Sequence, residues 1–556
     1  MVLRFVGILL GWIFISGCSK SKDLKDENVP SISAFELVST SVNNTSNAAN
    51  TYTNVVASPE IKLAFSIPVD RSSFTGNILF NESTGVGVPY ITTFENQDKT
   101  VILKPQSKLQ SLKNYNIIVS SGLKSKSGTA LNKSTTLSLQ TGLDQSDKFP
   151  IIPDDELLNL VQKQTFKYFW DFGHPVSGLA RERNTSGDVV TSGGSGFGVM
   201  AIIVAIHRNF ISRAEGLERL EKMVDFLQNK AQHFHGAYSH WLNGATGVAV
   251  PFSAKDDGAD LVETSYLIQG LLAARQYFNQ ANVRETQLRT GINNICNAVE
   301  WSWFRKNSEN VLYWHWSPNY NWDMNMQIQG WNEALITYVL AASSTTYPIT
   351  KLVYDSGWAR NGAIKNGNSY YGVQLPLGPP NGGPLFFAHY SFLGINPTGL
   401  TDAYANYETQ NKTHSLINYN YCSTNPRNFV GYSASCWGLT ASDDIYGYAA
   451  HHPDNDNGVI SPTAALSSFP YTPAESMQAL KFFYYKLGDR LWGEYGFYDA
   501  FSIHHGWFAN SYLAIDQGPI IIMIENYRSG LLWNLFMSCN EVKNGMKNLG
   551  FQSPNL

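Results

Sequence analysis

The sequence predicts a multidomain protein, a small all-β sandwich followed by a large all-α toroid of helical hairpins, the (α/α)6 barrel. Three observations predict it. A chain of 556 residues is too long for one ordinary domain. Its early part carries short alternating runs broken by Gly, Pro, Asn and Ser turns, as sandwich strands do. Past Leu143 the period becomes helical, with long polar and aromatic loops and no repeated unit, which suits a closed ring better than a solenoid.

In chain order, Arg4 precedes an apolar stretch from Phe5 to Ile15, too short to span a bilayer, and Ile15-Ser16-Gly17-Cys18 follows. Residues 1–18 resemble a bacterial lipoprotein signal in which Cys18 is lipidated, which places the protein in the cell envelope, anchored to a membrane through that lipid and facing the periplasm or the cell surface. Residues 19–30 are polar and charged, a tether. Residues 31–143 hold the strand-like runs: Ile61, Leu63, Phe65 and Ile67 in alternation, then Thr100 to Leu103, Tyr115 to Val119 and Thr136 to Thr141. This stretch resembles the bacterial Ig-like domains of surface proteins and carries no catalytic cluster. It is expected to be a spacer, with glycan binding as the alternative. Residues 150–556 hold the helical segments, Asp154 to Phe172, Phe197 to Phe210, Arg213 to Gln232, Asp260 to Phe278, Arg284 to Phe304, Trp331 to Ala342, Pro473 to Leu487 and Pro519 to Met537. Gly193 to Gly198 reads as a close-approach turn opening a helix, because it lacks the strand and acidic residue of a dinucleotide site.

Composition narrows the function. Charged residues are only 15% and aromatics 13%, a balance that fits stacking of pyranose C–H faces on indole and phenol rings. A net charge of -4 supplies no basic field, so nucleic acid is not an expected partner. Setting Cys18 aside leaves Cys296, Cys422, Cys436 and Cys539 without CxxC spacing, and the 12 His lack metal-ligand spacing. No metal and no cofactor are expected. A disulfide between Cys422 and Cys436 stays open.

The chemistry concentrates in acids that precede apolar helices. Asp256, Asp260 and Glu263 stand at i, i+4 and i+7 and would share one helical face. Asp260 and Glu263 equally read as a capping box, which leaves Asp256 unexplained. Glu333, after Trp331 and Asn332, and Asp516, ahead of Pro519, repeat the design. Crowded carboxyls split their proton affinities, and glycoside hydrolysis needs one protonated and one ionised carboxyl group. Trp314, His315 and Trp316 offer stacking surfaces expected near Glu333. Arg181 and Arg183 offer donors to sugar hydroxyls or a structural ion-pair cluster. His389 and Tyr390 lie in an apolar run where core packing and ligand binding are both open.

The runs Thr165 to Phe172, Pro175 to Arg183, Gly193 to Gly198, Phe234 to Trp241, Asp256 to Gln269, Tyr313 to Asn319, Asn332-Glu333, Pro384 to Gly394, Trp437 to Ser442, Pro462 to Ser468 and Ile515 to Pro519 resemble, in order, the glycoamylase-like bacterial proteins, best understood in glycoside hydrolase family 144. That resemblance implies an (α/α)6 enzyme cutting β-1,2-glucan with inversion, with Glu333 as general acid and an acid of the Asp256, Asp260, Glu263 cluster handling the water. Asp516 is the weaker candidate for that second role. It also implies a glucan substrate, and a monomer is expected. Transglycosylating or exo-acting relatives, and a non-catalytic glycan-binding lipoprotein, are the alternatives.

Overall fold

The computed structural model describes residues 34–556. The expected signal with Cys18, the tether and the first residues of the sandwich lie outside the described residues. The chain divides into two compact units, one running to Gln110 and from Asn114 to Thr141, the other Ser111–Lys113 and Gly142–Leu556.

The first unit is a two-sheet Ig-like sandwich. Its strands are β1 (Leu37–Val42), β2 (Thr51–Val55), β3 (Ile61–Phe65), β4 (Ile78–Glu82), β5 (Tyr90–Glu95), β6 (Thr100–Pro105), β7 (Asn114–Val119) and β8 (Thr135–Thr141). One sheet runs β1-β3-β6-β5 and the other β2-β8-β7-β4, antiparallel throughout except for β2 beside β8. Alternation decides the inner face: Ile61, Leu63 and Phe65 are buried while Lys62 and Ala64 between them are half-exposed.

The second unit is mainly helical: α1 (Asp154–Trp170), α2 (Ser192–His207), α3 (Arg213–Asn229), α4 (Leu261–Tyr277), α5 (Val283–Ala298), α6 (Leu335–Ser343), α7 (Tyr407–Thr424), α8 (Pro473–Lys481), α9 (Ala514–Ser529) and α10 (Asn540–Leu549). In α2 every residue from Ser192 to Ile206 is buried, and in α4 every residue from Leu261 to Ala274. Helices apolar on all sides lie inside a larger helical body, and α2 packs against both α4 and α9.

The glycine run corrects the reading of a turn, because Ser192 to Gly198 already forms the first turns of α2. Each interior glycine costs a helix about 1 kcal/mol. Contact with α4 offsets that cost: a methyl at Gly196 would overlap the Tyr266 carbonyl oxygen, and one at Gly270 the Gly196 carbonyl oxygen. Two expected boundaries also shift. The helix from Arg284 ends at Ala298, before a short 3-10 turn at Trp301–Arg305, and the Pro519 helix starts at Ala514 and stops at Gly530, whose φ of 70° ends it.

α7 was not expected from periodicity, because its buried positions are largely polar: Gln410, Asn411, His414, Ser415 and Asn418. Cys422 and Cys436 are buried free thiols. Among the described residues no helix is long and apolar enough to cross a membrane.

Candidate active site

Asp260 is the N-cap of α4, its Oδ1 accepting the amides of Val262 at 3.0 Å and Glu263 at 2.9 Å. A capping box would send Glu263 back to the Asp260 amide. Instead Glu263 Oε2 accepts the Gly193 amide at 2.9 Å and the Thr191 hydroxyl at 3.2 Å, both at the start of α2. A methyl at Gly193 would overlap that same oxygen, so the glycine lets the helix N-terminus reach the carboxylate. Asp256 is not on α4 at all. It lies in the turn ahead of it, so the three acids converge through a loop and a cap rather than along one helical face.

Two histidines close the cluster. His315 lies on a short strand paired residue for residue with Ala259–Asp260, and its Nε2 is 3.3 Å from Asp256 Oδ2 and 3.7 Å from Asp260 Oδ2. His240 Nδ1 is 3.0 Å from Asp260 Oδ2, and its ring stacks on Phe252 at 4.3 Å. Burial opposes charge on His240, but the Glu263 charge, the hydrogen bond and charge of Asp260 and the Asp256 charge outweigh it and push the imidazole up to about 9. Burial likewise opposes charge on Asp260, yet the His240 hydrogen bond and the His315 and His240 charges hold it below the usual range. Asp256 is pushed up to about 7, first by burial and then by the Asp260 charge. Glu263 is raised by burial against the pull of His240.

Glu333 sits in the turn before α6. Its neighbour Asn332 accepts the Ala334 amide at 2.9 Å, and the Glu333 carbonyl is held by the Ser391 hydroxyl and by Tyr266 Oη at 3.4 Å. The residue keeps some accessible surface, but its carboxyl is surrounded by protein with no cation paired to it among the described residues. Burial, reinforced by the Glu263 and Asp260 charges, pushes it up to about 7.

A second carboxyl cluster surrounds Asp516, in the first turn of α9. Burial raises both Asp499, to about 7, and Asp516, the Asp443 charge adding to the first and the Asp499 charge to the second, and neither Asp499 Oδ1 nor Asp516 Oδ2 has a hydrogen-bond partner among the described residues. Asp499 Oδ2 accepts the Asp443 amide at 2.7 Å, and Asp443 pairs with Arg183 at 3.1 Å and with the Ser511 hydroxyl at 2.5 Å. The clusters lie at neighbouring helix starts: a methyl at Gly194, next to the Gly193 amide that holds Glu263, would overlap Ala514 in the first turn of α9, the turn that carries Asp516.

The remaining residues named from sequence divide. Trp314 lies parallel to His315 at 5.8 Å, and Trp316 packs edge-on to Trp303 at 5.5 Å, so this aromatic strand borders Asp260. Trp331, Arg181 and His389, expected from the sequence as substrate-binding candidates, make their contacts within the protein. Trp331 is buried among Trp358, Phe392, Tyr407 and His414, a core ring. Arg181 spends its donors on the carbonyls of Phe172 and Gly187 and stacks on the Phe172 ring, a loop clamp. His389 is 1% exposed and bonded to Ser468 at 3.0 Å, and burial keeps it neutral, pushed down to about 3. His240, Asp443 and Asp499 were not singled out from sequence. His240 lies in the Phe234 to Trp241 run, but nothing local shows that it faces a carboxylate twenty residues on. The donor atoms of His240, Asp256 and Asp260 lie within 4.8 Å of one another, the spacing of a metal-ligand set, yet both Asp260 oxygens are already bonded within the protein.

Comparison with known proteins supplies the relatives. The family model described as "Putative glucoamylase" matches residues 325–540, and the bacterial Ig-like domain model matches residues 36–141. The exo β-1,2-glucooligosaccharide sophorohydrolase (non-reducing end) of Parabacteroides distasonis is 48% identical over 419 residues, 71% of this chain and 58% of the relative, so the chain spans little more than half of that curated protein. The endo-β-1,2-glucanase of Chitinophaga pinensis, solved with sophorotriose and glucose, is 55% identical and superposes with a TM-score of 0.72 over 73% of this chain and 100% of its own. A β-1,2-glucanase structure from Parabacteroides distasonis is 40% identical, with a TM-score of 0.70 over 94% of this chain and 74% of its own.

Proposed function

Because this chain belongs to the glucoamylase-like family of glycoside hydrolases, whose relatives degrade β-1,2-glucan, we propose that it hydrolyses β-1,2-glucan to sophoro-oligosaccharides with inversion. The observation that carries this reading is the contrast between Glu333, a carboxyl with no cation beside it, and Glu263, tied to the α2 N-terminus beside an imidazolium. Glu333 holds a proton near neutral pH and delivers it to the leaving glycosidic oxygen. Glu263 keeps Oε1 without a protein donor among the described residues, so that oxygen accepts the proton of the attacking water. Asp260 is too fully bonded to serve as base and instead keeps His240 charged. Separation of the acid and the base by a sugar and a water yields inversion.

The helical unit is read as an (α/α)6 toroid. Support comes from the enclosed α2 and α4 and from the fold likeness to an endo-β-1,2-glucanase of Talaromyces funiculosus at 9% identity and a TM-score of 0.52. Incubation with linear β-1,2-glucan tests the activity: new reducing ends whose first-formed anomer is α, followed by NMR, are the expected result, and none appearing overturns it. A second reading, exo action releasing sophorose, is favoured by the 48% identical relative. A single product size rather than a ladder decides for it.

We also propose that the protein sits in the cell envelope through lipid on Cys18. Metabolic labelling with a fatty acid, lost in Cys18→Ser, is the check.

A further inference from the structure

We propose that His240, Asp256 and Asp260, with His315 beside them, form a zinc-class divalent-cation site whose occupation switches the acid cluster off. One nitrogen of His240 and one carboxylate oxygen from each aspartate lie within 4.8 Å of one another. His240 Nδ1 stands 3.0 Å from Asp260 Oδ2, and His315 Nε2 stands 3.3 Å from Asp256 Oδ2 and 3.7 Å from Asp260 Oδ2. Neighbouring ligand atoms of a tetrahedral zinc site, with bonds of about 2.0–2.1 Å, are about 3.3 Å apart, so modest side-chain adjustments close these donors on one ion.

Of the two Asp260 oxygens, Oδ1 is committed to the backbone amides of Val262 and Glu263, whereas the partners of Oδ2 among the described residues are histidine nitrogens. The proton between His240 and Asp260 is therefore the one a cation replaces, and it leaves to solvent. Two further atoms point to a ligand. Asp256 Oδ1 and His315 Nδ1 have no hydrogen-bond partner among the described residues, although Asp256 is only 5% exposed and His315 only 8%. A buried carboxylate with one oxygen unpaired is what a bound ion satisfies. His240, with 23% of its side chain exposed, gives the route from solvent. Two carboxylates neutralise a divalent charge, and imidazole donors favour zinc over calcium or magnesium, which take oxygen shells. The ligands come from separate segments joined by a strand pair and a helix cap, so no His or Asp spacing along the chain announces the site. Occupation removes the His240–Asp260 hydrogen bond and sets two positive charges in the cluster that holds Glu263, the carboxyl assigned to the attacking water; this half of the proposal rests on the β-1,2-glucanase reading.

Zinc ion alone is the probe, titrated calorimetrically into the metal-free full-length protein and into His240→Gln, Asp256→Asn and Glu333→Gln. One zinc per chain is expected, weakened at least about 100-fold by each of the first two substitutions, because losing a ligand exceeds the roughly 10- to 100-fold cost of an outer-shell change, and unchanged by Glu333→Gln. Calcium and magnesium at the same concentration should not bind, and equal binding overturns the zinc class. X-ray absorption at the zinc edge of the unsubstituted complex guards against misfolded variants, with imidazole nitrogen and carboxylate oxygen expected as ligands. A sulfur ligand, zinc held as tightly by His240→Gln and Asp256→Asn as by the parent, or no zinc bound overturns the site. Hydrolysis of β-1,2-glucan by the parent should fall at least about 100-fold once the site is filled, the worth of general-base catalysis, and return on adding EDTA. Unaltered turnover with zinc bound overturns the switch. A chain that binds zinc as expected but never cuts β-1,2-glucan overturns the glucanase reading and leaves the site standing.

Discussion

The two carboxyl clusters face the same crowding and resolve it with different partners. Around Asp260, two histidines and two helix N-termini take up the negative charge, and the result is a graded set: Asp260 ionised, Glu263 raised, Asp256 and Glu333 near 7. Around Asp516, one arginine, Arg183, pairs with Glu182 and Asp443, and Asp499 and Asp516 are left with raised proton affinities instead. Grading suits acid–base chemistry, where proton donor and acceptor must differ. Two neighbouring carboxyls that are both raised suit a polar wall, since burial and repulsion favour the neutral form of both without setting a donor against an acceptor.

That contrast breaks first at Glu333. Glu333→Gln removes the carboxyl proposed as proton donor, and about a 10³-fold fall in kcat on β-1,2-glucan is expected, with an unchanged circular dichroism spectrum. Glu263→Gln should cost at least about 10²-fold. If Asp516→Asn costs as much as Glu333→Gln while Glu263→Gln stays active, the roles of the two clusters are exchanged.

His240 sharpens the first half of the comparison. Its imidazolium favours the ionised forms of Asp260 and Glu263, so His240→Gln raises their proton affinities. The acidic limb of the kcat/KM profile therefore moves to higher pH, and activity at pH 6 drops about tenfold while the loss shrinks above neutrality. The alkaline limb, set by Glu333 near 7, should stay. A profile scaled down uniformly at every pH assigns His240 a purely structural role.

How much of this was legible in the sequence depended on whether the signal was local. Asp256, Asp260 and Glu263 stood out because they precede the apolar run of α4, and Glu333 because α6 follows it. Their convergence with His240 and His315 was not visible, since strand pairing and a cap assemble it across the chain. The sandwich was legible through the alternation of β3, but α7 was not, because polar side chains such as Gln410 and Asn418 fill its buried face and bond to backbone at Leu377 and Leu439. The glycine run of α2 was legible as a close approach that opens a helix, but not as the helix's own first turns. Glycine signals a turn locally, whereas here the absence of side chains is what lets α2 touch α4 and bring the Gly193 amide to Glu263.

The smallest expected effect concerns stability and separates the clusters without any substrate. Asp499 has a folded-state proton affinity raised to about 7, above the ordinary carboxylate value it regains on unfolding. Between those two values the folded chain binds more protons than the unfolded one, so this group's stabilising contribution is complete at low pH and is lost as pH rises through about 7. Asp499→Asn keeps the shape and removes the titration. The variant should therefore match or trail the parent in Tm near pH 5 and gain on it toward pH 8, a difference that thermal unfolding across pH reads directly. Asp260→Asn should show the opposite slope, since its ionised form is the one the fold favours, and the parent's advantage over that variant should grow as pH rises from acid toward neutrality. Parallel slopes for the two variants would mean that one electrostatic environment covers both clusters.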